Sequence, residues 1–285
     1  MLSMENYISL LSNVLSSGTD RQDRTGIGSR FINGATLKWN LSDGFPMVTT
    51  RKVSFRIAFE ETMFFLRGET DTKKLEDKNI NIWRGNTTRE FLDNRGLSHL
   101  PEGSIGTGYS HSWRNFGGTL GNSDGVDQIR DLINNLKTDP NGRRHIVTAW
   151  NPSQNSGTPL PPCHIMHMYS VSENKLNSCF VMRSNDLYLG LPTNIMGYAF
   201  LNLAFSKLLN LQPGELTYFG WDAHLYNNQL EAVQQQITRV PRQLPSLVFK
   251  KDFSTLEELL ELNYEDLELI NYDPHPPLPK VEMAV

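Results

Sequence analysis

The stretch "PTNIMGYAFLNLAFSKLLN", residues 192–210, constrains the fold most: it is apolar around its whole circumference, and Lys207 is its only charged residue. A helix of that kind has to be covered on most sides. The segments around it can supply the cover. "HIVTAWN", "CHIMHMYSV", "KLNSCFVMRSND" and "LTYFGWDAHLY" read as strands. Upstream, "GIGSRFINGATLKWNLS" alternates apolar and polar residues with β-branched and aromatic types and reads as a strand pair. "SFRIAFEETMFFLRGET" has apolar residues at helical spacing and reads as a helix stopped at Gly68, and "VDQIRDLINNLKTDPNGR" as a helix ended by the Asp-Pro-Asn-Gly turn. Helices and strands mix without a regular βαβ rhythm. The expectation is an α+β fold around one large mixed β-sheet flanked by helices. With no internal repeat and no low-complexity linker, residues 1–285 are expected to form a single domain.

Three further segments carry expectations. Residues 84–125, rich in Gly, Asn, Ser and Thr, form a long irregular region, and such loops are often functional. The acidic "STLEELLELNYEDLELI" reads as a surface helix or two. The tail "YDPHPPLPKVEMAV" is proline-rich and then apolar, so it is expected to dock.

Several function classes are disfavoured. A net charge of −4 gives no broad electrostatic grip on nucleic acid. No apolar run approaches the roughly 20 residues needed to span a bilayer. The start "MLSMENYISLLSNVLSSG" reads as an amphipathic helix and not as a signal peptide, so a cytoplasmic location is expected. The two cysteines, Cys163 and Cys179, lack paired zinc-site spacing, and no H-E-x-x-H is present, so no metal is expected. A disulfide between them is not expected in a reducing compartment.

The stretch "LPPCH" leaves Cys163 open as nucleophile, ligand, disulfide half or core residue. A dyad with His164 fails on geometry, because neighbouring side chains on a strand point to opposite faces. Positive charge can activate a thiol instead, since it favours the thiolate. Arg24 in "DRTG", Arg143 and Arg144 in "DPNGRRH", and Arg183 beside Ser184 in "MRSND" form a candidate set. Arginine forks also match phosphate oxygens. Converged, they would bind an anionic substrate and lower the thiol's pKa; separately, each is an ordinary surface residue.

The motifs "DRTGIGS", "FPMVTTRK", "NINIW", "DPNGRRHIVTAWNP", "LPPCH", "RSNDLYLGLPTN", "DAHLY" and "YDPHP…MAV" stand in an order that resembles the thymidylate synthase superfamily, from about Glu5 to Val285. The resemblance implies a single catalytic domain and a homodimer whose sheet packs against the partner subunit. It implies 5,10-methylenetetrahydrofolate as one-carbon donor and a pyrimidine nucleoside monophosphate as acceptor, with Cys163 adding to C6 of the base. It places Arg24, Arg183 and Ser184 at the phosphate, joined by Arg143 and Arg144 from the other subunit. Glu61 and Tyr109 manage proton transfer, with His164 as an auxiliary polar group. His224 and Tyr226 hold the sugar hydroxyl. Trp83, Asn86, Asp186 and Val285 lie along folate. A cysteine hydrolase would need a base for Cys163, and a non-catalytic relative would have lost Cys163 or Glu61.

Asn194 in "LPTN" is the expected base reader: a carboxamide offers both a donor and an acceptor, matching O4 and N3 of uracil and favouring dUMP over dCMP. The chain also departs from the family pattern, at Phe64, Ser110, Ser112, Met168, Met182, Thr193 and Trp221. Two outcomes compete at the last step. Hydride from folate gives methyl, and water gives hydroxymethyl, as in the phage hydroxymethylases, with Ser110 and Ser112 as seats for that water. Methyl transfer is preferred, because Trp83 and the "EMAV" flap would exclude water; dUMP hydroxymethylation is second, and a CMP or dCMP hydroxymethylase third.

Overall fold

The structure is a computed structural model that describes residues 4–283; the expected folate contact Val285 lies outside them. In chain order the helices are α1 (Glu5–Ser17), α2 (Phe55–Leu66), α3 (Lys73–Glu76), α4 (Arg84–Thr87), α5 (Arg89–Asn94), α6 (Tyr109–Arg114), α7 (Gln128–Thr138), α8 (Gly190–Leu208), α9 (Leu230–Gln236) and α10 (Leu256–Leu260). The strands are β1 (Thr19–Arg21), β2 (Ser29–Asn40), β3 (Ile146–Thr148), β4 (His164–Ser172), β5 (Lys175–Asp186), β6 (Gln212–Tyr226), β7 (Ser246–Phe249) and β8 (Leu267–Ile270). A six-stranded mixed sheet has the order β1-β2-β6-β5-β4-β3, and β7-β8 form a separate pair. The fold is therefore α+β, with α8 as the crossover between the parallel strands β5 and β6.

The apolar helix is covered as its composition demands. α8 lies on one face of the sheet, where Tyr198 stacks on Phe180 with centroids 4.4 Å apart and Phe205 packs on Tyr169 at 5.6 Å. From the other side α2 closes over it through Phe59 and Phe200, edge to face at 5.1 Å. The two helices approach closely at Gly197, where a Cβ would meet Thr62 Oγ1 at 2.7 Å. Phe200 is fully buried, and truncating such a side chain costs about 3–5 kcal/mol. The opposite face of the sheet leaves Ile146, Phe219 and Trp221 exposed.

Two readings change. "RFINGATLKW" is one strand: Asn33 and Ala35 pair with Asp222 and Gly220 of the same β6, and Gly34, at φ +78°, lets the chain pass through without turning. The acidic segment holds α10 and one 3-10 turn, Tyr264–Asp266, but its end is β8, which pairs with β7. The irregular region contains the short helices α4, α5 and α6. The tail docks: Tyr272 Oη donates to Val48 O at 2.8 Å and His275 N–H donates to Thr49 O at 2.7 Å. Among the described residues no helix is long and apolar enough to cross a membrane.

Candidate active site

Strand direction brings the site together. β5 and β6 are parallel and end at one edge of the sheet, where β2 and β4, antiparallel to them, begin. The ends of β5 and β6 deliver Arg183, Ser184, Asp186, His224 and Tyr226. The loop before β2 delivers Arg24, and the run before β4 delivers Cys163. All of them line one cleft of ≈ 540 Å³.

The prolines of "LPPCH" have a clear use. Arg183 Nε donates to Pro162 O at 2.8 Å, and Nη2 donates to Pro161 O at 2.7 Å. The same Nη2 lies 3.7 Å from Cys163 Sγ. Tyr109 Oη accepts from the Cys163 N–H at 2.6 Å. The thiol is therefore held on a stiff segment against a cation. One expectation fails: burial pushes the Cys163 thiol up, and Arg183, Arg24 and Tyr109 oppose this without cancelling it. Both cysteines are free.

His164 turns away from the thiol. Its ring stacks on Tyr109 with centroids 3.9 Å apart, and Nδ1 lies 2.6 Å from Tyr198 Oη. Burial, with His167 beside it, lowers its pKa to about 3, so it is neutral. A β-bulge between His164 and Met166 brings His164, His167 and Tyr169 to the same side of β4.

A second, small cavity of ≈ 20 Å³ is lined by Glu61, Thr62, His164, Thr193, Asn194 and Tyr198. It has room for about one water. Glu61 Oε1 accepts from Trp83 Nε1 at 2.9 Å. Burial raises Glu61 to about 7, opposed only by that indole N–H. Asn194 Oδ1 accepts from Asn185 Nδ2 at 3.2 Å.

The remaining expected residues divide. Asp186 is on the cleft wall, but Oδ1 accepts the N–H groups of Tyr188 and Leu189 at 2.9 and 3.0 Å, and Oδ2 accepts Gln229 Nε2 at 2.8 Å. Asn86 is buried on α4, and its Nδ2 has no partner among the described residues. Arg143 and Arg144 are exposed and do not line their own chain's cleft. Ser110 and Ser112 do not face the reacting groups: Ser110 lines a different cavity behind α6, and Ser112 Oγ donates to Thr107 O at 3.3 Å. Residues the sequence reading missed include Tyr198, Arg21 and Asp222. Asp222 had a signal: it precedes His224 by two on a strand, so the two side chains share a face. Asp222 Oδ1 lies 2.8 Å from His224 Nδ1, and Arg21 grips the same carboxylate. Burial would raise Asp222, but His224 and Arg21 outweigh it and hold it at about 2. Among the described residues no group of three or more His, Cys, Asp and Glu side chains could hold a metal ion.

A family model described as thymidylate synthase matches residues 5–285. The chain is 42% identical over 290 residues to the bifunctional dihydrofolate reductase-thymidylate synthase of Leishmania amazonensis, a match that covers 98% of this chain and 55% of that protein. It is 41% identical over 285 residues to thymidylate synthase 1/2 of Encephalitozoon cuniculi, covering 98% of this chain and 96% of that protein. To the thymidylate synthase of human herpesvirus 8 it is 38% identical, covering 98% and 83%. The chain spans little more than half the length of the bifunctional relatives it matches, 55% of each Leishmania protein and 60% of the Paramecium one.

Proposed function

The chain belongs to the thymidylate synthase family, and from that premise we propose that it converts dUMP to dTMP, as a single catalytic domain acting in the cytoplasm. The observation that carries this reading is the pairing of a clamped, cation-flanked Cys163 with a separate buried carboxyl, Glu61, poised at about 7. Cys163 adds to C6 of the pyrimidine, and the electron pair moves to C5, which becomes a carbon nucleophile. Arg24, Arg183 and Ser184 take the 5′-phosphate; Arg183 orients it while still bracing the proline carbonyls. Glu61, half-ionised near neutral pH, exchanges protons with the base through the single water its cavity can hold. Tyr109 carries its hydroxyl from the Cys163 amide toward C5, where a proton must leave. Asn194 reads O4 and N3 of uracil.

5,10-Methylenetetrahydrofolate supplies the one-carbon unit and the hydride. The residues suit such a molecule. Trp83 offers an aromatic surface, Asp186 an acceptor already oriented by three N–H groups, and Asn86 a buried amide nitrogen still lacking a partner. Val285 remains a candidate contact from the terminus. Ser110 and Ser112 are turned from the cleft, so neither seats an attacking water, and methyl is the expected product.

A homodimer completes the phosphate site. The sheet face carrying Ile146, Phe219 and Trp221 suits burial against a second copy, and exposed Arg143 and Arg144 suit delivery to that copy's phosphate. The deciding experiment incubates the protein with dUMP and 5,10-methylenetetrahydrofolate and identifies the nucleotide by mass. dTMP with dihydrofolate released is expected. 5-Hydroxymethyl-dUMP with tetrahydrofolate released would replace the methyl reading, and an unchanged nucleotide would overturn the assignment.

A further inference from the structure

Behind His224 stands a carboxylate that takes no part in the chemistry above. Asp222 Oδ1 lies 2.8 Å from His224 Nδ1. Arg21 grips the same carboxylate with both terminal nitrogens, Nη2 to Oδ1 at 2.7 Å and Nη1 to Oδ2. Arg21 is itself fixed: Nε donates to Ser29 Oγ at 3.2 Å, and its guanidinium carbon lies 4.1 Å from the Phe31 ring centroid. Sheet register builds the assembly. Phe31 is paired with His224, and Ser29 is paired with both Arg21 and Tyr226.

An ionised carboxylate only accepts hydrogen bonds. The imidazole nitrogen facing it must therefore carry the proton. Wherever the ring is neutral that is its one proton, and the other nitrogen is left as an acceptor. His224 Nε2 has no hydrogen-bond partner among the described residues, and the ring lines the cleft beside Tyr226. We propose that Asp222, anchored by Arg21, is a positioning residue that fixes His224 with its proton on Nδ1, so that Nε2 accepts a hydrogen bond from the sugar. A deoxyribose 5′-phosphate nucleotide has one free hydroxyl, at C3′. The site thus selects nucleotides with a free 3′-hydroxyl over those lacking it or carrying a 3′-ester. The inference rests on the reading of His224 and Tyr226 as sugar contacts.

Long-range proton–nitrogen NMR of the full chain, with His224 assigned through a His224→Gln spectrum, reads the tautomer directly. The expected wild-type result is a protonated Nδ1 and a bare Nε2. Steady-state kinetics with dUMP and with 2′,3′-dideoxyuridine 5′-monophosphate read the consequence. Wild type should prefer dUMP by at least about 10-fold in kcat/KM, the scale of one lost hydrogen bond to a polar site. Asp222→Ala and Arg21→Gln should shrink that preference toward about 2-fold, mainly through KM, and Asp222→Glu should restore part of it. A purely structural role would lower stability and leave both the preference and the tautomer unchanged. A wild-type proton on Nε2, or an unchanged preference in folded Arg21→Gln, overturns the proposal; if Asp222→Ala does not fold, these two results decide. If dUMP is neither bound nor turned over, the sugar-contact reading fails instead, and the tautomer alone judges the role of Asp222.

Discussion

Two carboxylates near the cleft meet opposite fates. Asp222 is partly buried but faces Arg21 and His224, and it stays ionised down to about 2. Glu61 has one neutral N–H donor, from Trp83, and keeps its proton up to about 7. Burial pushes both the same way, so the partners decide. One wall of the site carries a fixed charge that organises binding, and the other a group that can exchange protons near neutral pH. Division of labour of this kind is how one pocket binds an anion and moves protons together.

The sharpest way to break the comparison is to remove the group between its two halves. Cys163→Ala should lower kcat by about 10⁵-fold or more, as losing a covalent nucleophile does, while dUMP affinity by calorimetry changes only a few-fold. Turnover within tenfold of wild type would mean that the carboxylates act without covalent catalysis. Next is Glu61→Gln, expected to lower kcat by about 10²–10⁴-fold. Its stability signature has a definite sign. The folded carboxyl binds its proton up to about 7, and the unfolded one only to about 4.5, so wild-type stability falls as pH rises through that window. Each tenfold in proton affinity is worth about 1.4 kcal/mol. Urea denaturation should therefore find Glu61→Gln more stable than wild type by about 3 kcal/mol at pH 8 and not at pH 4. Asp222 acts in reverse: its contribution is present above about 4 and is lost as pH falls through about 2.

How much of this contrast was readable from the sequence follows from what each feature depends on. β4, β5, β6 and α8 were legible because their patterns are local and strong. "GIGSRFINGATLKWNLS" read as a strand pair, and only the long partner β6 makes its Asn33-Gly34 mid-strand in a single β2. The end of the acidic segment, "LELI", was pulled into β8 by β7, a tertiary effect that outweighs helical charge patterning. Cys163 and Arg183 were legible through motif order. The rise in the thiol's pKa was not, because burial is invisible in a list of nearby arginines. The clamp on Asp222 was hidden for another reason: Arg21 lies 201 positions away in the chain.

Smaller effects sharpen the binding wall. Asn194→Asp should cut the preference for dUMP over dCMP by about 10–100-fold in kcat/KM, because a protonated or water-bridged carboxyl matches the cytosine edge better. An unchanged ratio would move base reading elsewhere, Asn185 being the nearest alternative. Subunit mixing tests whether the cationic wall is shared. A 1:1 mixture of Cys163→Ala and Arg143→Ala subunits should recover about one quarter of wild-type activity, since half of randomly paired dimers are mixed and each has one intact site. No recovery would place Arg143 outside the partner's cleft.

The smallest expected effect concerns the far side of α6. Tyr109 faces the thiol segment, whereas Ser110 is fully buried on the opposite side with no partner for its hydroxyl among the described residues. A buried hydroxyl without a hydrogen bond costs about 1–3 kcal/mol, and the small cavity left by its removal returns part of that. Ser110→Ala should then be more stable by about 1 kcal/mol, seen as a higher urea midpoint at constant slope. Its kcat should stay within about twofold of wild type and its product should remain dTMP. If the variant instead changed the methyl-to-hydroxymethyl ratio, a water held by Ser110 would be reaching the reaction through the helix. The back of α6 would then belong to the catalytic half of the molecule.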